Sequence, residues 1–227
     1  MRALTIFFLS LFSLPLVLNA QSVDEMLQKV SAAIESGQHG QAVSYFRQTI
    51  GLNIDRTEMF YWTSIDKSSE ISSKLAVELA SAYRRNRNYD KAYLFYKELL
   101  QKTPDNVDYL EACAEMQVCR GHEKEALRMY EKVLQLDTDN LAANIFLGNY
   151  YYLMAEKEKK RLDTDFKKLA SPTKMQYARY RDGLSKVFST GYQKARNSLR
   201  KVISQFPSTE AQKTLDKILR IEKEVNR

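Results

Sequence analysis

Residues 73–106 read SKLAVELASAYRRNRNYDKAYLFYKELLQKTPDN, and residues 107–140 read VDYLEACAEMQVCRGHEKEALRMYEKVLQLDTDN. Set one above the other, these stretches align Ala80 with Ala114, Ala92 with Ala126, Tyr96 with Tyr130 and Leu100 with Leu134. Gly148 extends the first series by one more period of 34, and Tyr151 answers Tyr83 after two. Within a unit the order is apolar helix, short polar turn, apolar helix. Asn86-Arg87-Asn88 and Arg120-Gly121-His122 fill the turns. Pro104-Asp105-Asn106 closes the first unit and Asp137-Thr138-Asp139-Asn140 the second. Small residues at 80, 92, 114, 126 and 148 let paired helices approach, while Tyr83, Tyr96 and Tyr130 fill the gap to the next unit. No single unit can bury its apolar face, so the pattern predicts stacking into a solenoid with a concave side. A total of 7 Gly and 4 Pro agrees with this. Turn-rich β architectures and glycine-rich phosphate loops need more of both.

These residues resemble the tetratricopeptide repeat (TPR) family. The first unit shows Ala76-x₂-Leu79-Ala80-x₂-Tyr83, then Ala92-x₃-Tyr96, then Pro104. The second shows Leu110, Cys113, Ala114, Ala126, Tyr130 and Leu134, and departs from the family at Gln117 and Thr138, where Tyr and Pro are usual. The resemblance implies an all-α fold, a right-handed TPR-like α-solenoid of helical hairpins. It also implies a scaffold that binds a protein or peptide in a groove lined by the first helix of each pair. Matching positions are Lys74, Val77, Ser81, Arg84 and Arg85, then Asp108, Glu111, Glu115 and Val118, then Ile145, Asn149, Tyr152 and Leu153. Plain solvated helix surface is the alternative reading of those charges. The Lys and Asn set with which chaperone-binding members clamp a carboxylate terminus is missing.

The period breaks in the third unit, residues 141–207. Leu147, Gly148 and Tyr151 start it in register, but Lys160 stands where a small residue should recur. The expected signature returns at Ala195, Leu199, Ile203 and Pro207. Ala126 to Ala195 and Leu134 to Ile203 both span 69 residues, one period of 34 plus an insertion of 35. The inserted stretch, about residues 156–190, is helical in pattern. Leu162, Phe166 and Leu169 form one stripe, and Tyr177, Tyr180, Leu184, Val187 and Phe188 another. The reading is therefore one unit extended into a long projecting helical hairpin that turns near residues 170–173. Ser171 would cap the returning arm, with Pro172 at its first position and kinks at Gly183 and Gly191. Lys167, Lys168, Lys174, Arg179 and Arg181 make this hairpin basic.

On the other side, residues 21–50 read as a helical pair around Gly37 to Gly40. A connector, residues 51–72, follows and contains Met59-Phe60-Tyr61-Trp62. That cluster reads either as a plug at a joint or as an exposed aromatic anchor. Residues 208–227 read as a capping helix, with Ser208 or Thr209 at its start.

The first twenty residues have the pattern of a cleaved signal peptide: Arg2, an apolar run from Ala3 to Leu18, and Ala20 before a cut at Gln21. The alternative is an uncleaved anchor, although about sixteen apolar residues are short for a span of about 20. No Cys follows the run, so a lipoprotein is not expected. The expectation is an exported chain of the periplasm or cell envelope, soluble after cleavage. Cys113 and Cys119 fall six residues apart in one helix, too far along its axis for a disulfide, and read as free and mostly buried.

Residues 21–155 carry 15 Lys+Arg against 19 Asp+Glu, whereas residues 156–227 carry 19 against 9. An exported chain rarely meets nucleic acid. A basic C-terminal third would instead suit an acidic protein surface, anionic lipid or anionic glycan, which gives a second function class, a peripheral binder of such a surface. Its bland counterpart is a set of solvated helix faces. No catalytic or metal-binding arrangement stands out. His39 and His122 fall in inter-helix turns. No enzymatic activity and no cofactor are predicted.

Overall fold

The structure, a computed structural model, describes residues 22–225, so the signal-peptide reading of residues 1–20 lies outside the described residues. Among the described residues there is helix and no strand. The described residues divide into two compact units, 22–65 and 66–225.

The first unit holds α1 (Val23–Glu35), α2 (His39–Leu52) and α3 (Ile54–Ser64). Ser22 and Glu25 form a reciprocal capping box that starts α1. Met26, Leu27, Val30, Ala42 and Phe46 are buried at helical spacing, which pairs α1 with α2. The stretch read as a connector is thus mostly helix. Asn53 ends α2 and caps α3, its side chain accepting from the Arg56 amide at 2.9 Å.

The second unit runs α4 (Glu70–Arg85), α5 (Tyr89–Lys102), α6 (Val107–Cys119), α7 (Glu123–Leu136), α8 (Leu141–Lys167), α9 (Lys174–Val187), a π turn (Phe188–Tyr192), α10 (Gln193–Gln205) and α11 (Thr209–Val225). Each helix packs on its successor from α4 to α8, as an α-solenoid requires. The repeat is visible in the chain ends. Asn106 and Asn140, one period apart, cap α6 and α8 by accepting from backbone N–H groups three residues on. After α4 and α6 the chain turns through a left-handed residue, Arg87 at φ 59° and Gly121 at φ 78°. In both turns the next residue's N–H closes back on the last helical turn, Asn88 to the Tyr83 carbonyl and His122 to the Gln117 carbonyl.

One period after Gly121 stands Ala155, and it is 3% exposed inside a helix that does not stop. Without a residue suited to a left-handed turn, α8 continues to Lys167. The returning arm is α9, the π turn and α10 joined end to end. Where the arms cross, Gly191 lies against Ala155, and a methyl added at Gly191 would meet the Ala155 Cβ at 2.6 Å. Further out, Gly183 lets Leu162 lie close, and Phe166 stacks on Tyr180 with centroids 4.3 Å apart. Three sequence expectations change here. Thr173, not Ser171, caps α9, because Thr173 and Gln176 form a capping box that satisfies two backbone donors, and Pro172 stays outside the helix. Gly183 does not interrupt α9, and the irregularity is the π turn around Gly191. Cys119 is exposed at the end of α6, whereas Cys113 is buried and burial pushes its thiol up to about 12.

Asp163 clasps the hairpin from α8, accepting from Lys159 at 2.8 Å and from the Tyr180 hydroxyl at 2.6 Å. Burial alone would raise its pKa, but these hydrogen bonds prevail and hold the carboxyl below its usual 3.8. A folded-state pKa below the unfolded one gives stabilisation that is complete above the unfolded value and is lost as pH falls through the folded value. Amide exchange across α9 should therefore quicken below about pH 3.8. Asp163→Asn should remove that acid step, and an unchanged step in this variant would contradict the clasp.

The helix at the C-terminal end does more than cover the last pair. Ser208 caps it, accepting from the Ala211 amide at 3.2 Å. Ala211, Leu215 and Ile218 are buried, and α11 packs on α10, the π turn and α9. One apolar cluster joins Leu110, Ala114, Ala126, Tyr130, Val133, Ala143 and Leu147 in the regular repeats. A second joins Ala155, Val187, Tyr192, Ala195, Leu199, Val202, Ala211 and Ile218 at the root of the hairpin.

Candidate interaction surface

The first helices α4, α6 and α8 carry the positions read as a groove. On α4, Lys74 is exposed and paired with Glu70 at 2.8 Å, Val77 and Ser81 are half-buried, and Arg85 is exposed. Arg84 reaches across to Glu115 of α6 at 2.7 Å. Burial opposes the Arg84 charge, but Glu115 and Tyr96 outweigh it and raise its pKa. Asp108 is exposed, Val118 is half-buried, and Glu111 accepts from the Asn140 side chain at 2.8 Å. Two of the three acidic positions on α6 are therefore engaged within the fold, and their polar contacts tie neighbouring units together.

On α8 the groove positions continue as an apolar line. Leu141, Ile145 and Leu153 are 36%, 43% and 65% exposed, spaced four residues apart around exposed Asn149, with Tyr152 half-buried beside them. Four-residue spacing keeps all of them on one slowly turning face.

Sequence reasoning missed a second feature. A crevice of about 370 Å³ opens where the hairpin leaves the solenoid, lined chiefly by Leu127, Tyr150, Tyr151, Met154, Val187 and Gly191. Tyr151 donates to Glu131, and Lys194 lies over its ring at 4.6 Å. Burial and that carboxylate push the Tyr151 hydroxyl pKa well up. The crevice depends on where two arms cross, for which a linear sequence carries no signal.

The basic positions of the hairpin, Lys167, Lys168, Lys174, Arg179 and Arg181, are all exposed. Lys168 pairs with Asp165 at 3.0 Å, and Arg181 reaches the Val225 carbonyl at 3.3 Å. In the first unit, the aromatic cluster divides. Tyr61 is buried, while Met59 and Trp62 are about half exposed. Met59 and Phe60 line a crevice of about 430 Å³ between α1 and α3, with Arg56 and Asp24 paired at 3.0 Å on its wall. His39 is half-buried, and His122 is exposed with Nδ1 at 3.2 Å from Gln117 Oε1. Among the described residues, no group of three His, Cys, Asp or Glu could hold a metal ion. Among them too, no helix is long and apolar enough to cross a membrane.

Residues 75–107 match the family model of the tetratricopeptide repeat. The chain carries a tetratricopeptide repeat there. This TPR chain is 84% identical to a Bacteroides ovatus protein of known crystal structure, named as a candidate protein-binding protein. The match covers 90% of this chain and 100% of that one, with a TM-score of 0.80. A tetratricopeptide repeat protein from Parabacteroides merdae is 16% identical over 89% of this chain and 74% of its own, with a TM-score of 0.39. No curated protein matches the TPR chain significantly.

Proposed function

We propose that this TPR chain is a non-catalytic scaffold of the bacterial periplasm or cell envelope, which holds a protein or peptide partner against α4, α6 and α8. The observation that carries the reading is the exposed line Leu141, Ile145 and Leu153 on α8, beside the ion-paired Arg84 and Glu115. Exposed apolar side chains in a row mark interaction sites more often than scattered ones do. An extended peptide could set apolar side chains on this line and direct polar groups to Asn149, Lys74 and Arg85. The description of the Bacteroides ovatus relative supports the same class of role. Export rests on the sequence pattern of residues 1–20.

The test is a double substitution, Ile145→Asp with Leu153→Asp. Both sites are exposed, so melting should stay close to that of the parent. A partner recovered with the parent should lose at least tenfold in affinity, since burying even one such side chain contributes about 1.5–3 kcal/mol. Leu94→Asp on α5, a site 57% exposed, should leave binding intact. Equal binding by all three proteins would remove α8 from the interface.

A further inference from the structure

We infer that the tip of the hairpin docks onto an anionic lipid bilayer. This goes beyond the scaffold reading and does not depend on it. Residues 166–181 span the end of α8, the turn and the first half of α9, and they contain five basic residues and no acidic one. Inside this basic collar, Leu169, Met175 and Tyr177 are 36%, 64% and 52% exposed. Neighbouring apolar side chains do turn inward, as the stacked Phe166 and Tyr180 show. The shaft below the tip is different. There Lys159 pairs with Asp163, and Arg161 with Glu158 and Asp165. Lys168 still pairs with Asp165 of the shaft at 3.0 Å, but apolar exposure and an excess of positive charge coincide at the end of the insertion.

Shape and chemistry together select the occupant. Leu169 and Met175 flank the turn between two packed helices, whereas Tyr177 and Arg181 also line a crevice against α11, and a bilayer receives such a turn without a matching pocket. Apolar side chains can enter the boundary of the acyl chains while lysine stems follow them and keep their ammonium groups among the phosphates. Each basic side chain near an anionic membrane changes partition by about fivefold. An anionic glycan would use the lysines but would leave Leu169 and Met175 in water. The turn also suits an interface. Pro172 has no N–H, and the capping box of Thr173 and Gln176 satisfies donors at the start of α9.

Co-sedimentation of the full chain with phosphatidylglycerol vesicles and with phosphatidylcholine vesicles tests the inference. Two variants accompany the parent, Lys167→Ser/Lys168→Ser/Lys174→Ser and Leu169→Ser/Met175→Ser. All five positions are exposed, so the fold should persist, and any contribution of residues 1–20 is common to the three proteins. The charge variant should lose roughly a hundredfold in binding to phosphatidylglycerol, about fivefold for each lysine. The apolar variant should lose at least tenfold, as expected when two side chains withdraw from the interface. Binding to phosphatidylcholine should not respond to the charge variant. Unchanged phosphatidylglycerol binding in both variants would overturn the inference. So would a loss confined to the charge variant, because a soluble anionic polymer would then serve as well. Capture of a protein by the tip without lipid, abolished in both variants while vesicle binding persists, would replace the bilayer with that protein.

Discussion

Replacing Gly191 with leucine is expected to destabilise the second unit by more than about 3 kcal/mol, at the upper end of what overpacking does. Even a single methyl at Gly191 would lie 2.6 Å from the Ala155 Cβ and 3.3 Å from its Cα. The Cα belongs to a helix backbone and cannot swing aside. The two arms would have to separate just where Ala155, Val187 and Tyr192 join the hairpin to the solenoid. Gly191→Ala should be milder, at about 1–3 kcal/mol. Its gain in helix propensity, about 1 kcal/mol, offsets part of the clash. The informative companion is Ala155→Gly. In the double variant the methyl has changed sides, so the clash is relieved and much of the loss should be recovered. A thermal or urea melt of the four proteins measures the coupling. Additive effects would mean that the arms do not cross at this pair.

Tyr192→Ala should cost about 3–5 kcal/mol, which for a chain of this size lowers the melting temperature by roughly 6–20 °C. The Tyr192 ring is 1% exposed in the cluster at the hairpin root and meets Tyr152 edge-on at 6.2 Å. Its hydroxyl donates to Glu156 on the opposite arm. Removing the ring leaves a cavity beneath α11 and strands the carboxylate. Tyr192→Phe separates the two contributions. It keeps the ring, loses one hydrogen bond to a charged group, and should cost about 1.5–3 kcal/mol. If alanine and phenylalanine were equally damaging, ring packing would not be what secures the arm.

The repeat could be read from the sequence because its packing rules are local. Close approach demands small residues at 80, 114 and 148, and these recur at a fixed interval whatever else the chain does. The insertion was readable for the same reason, since Ala195 and Leu199 resume the pattern and both are buried against the preceding arm. Other features needed three dimensions. Nothing in the spacing says that Arg84 meets Glu115 or that Ala155 meets Gly191, because each pair joins separate helices. Two further corrections had signals that a closer reading could use. Thr173-x-x-Gln176 is a full capping box and outweighs the Ser171-Pro172 pattern. Cys119 lies six residues after Cys113, a rotation of about 240° on an α-helix, so one side chain faces in and the other out. The exposed line on α8 was partly visible through Ile145 and Leu153, but which apolar residues remain uncovered depends on where α7 and α10 pack.

The most direct test of the scaffold account is site-specific photocrosslinking in cells, with the photoreactive residue placed in turn at positions 145, 153 and 94. The account predicts that the same partner is captured from 145 and 153, on the exposed line of α8, and not from 94 on α5. Capture from 94 alone, or no difference among the three positions, would contradict binding on the first-helix face.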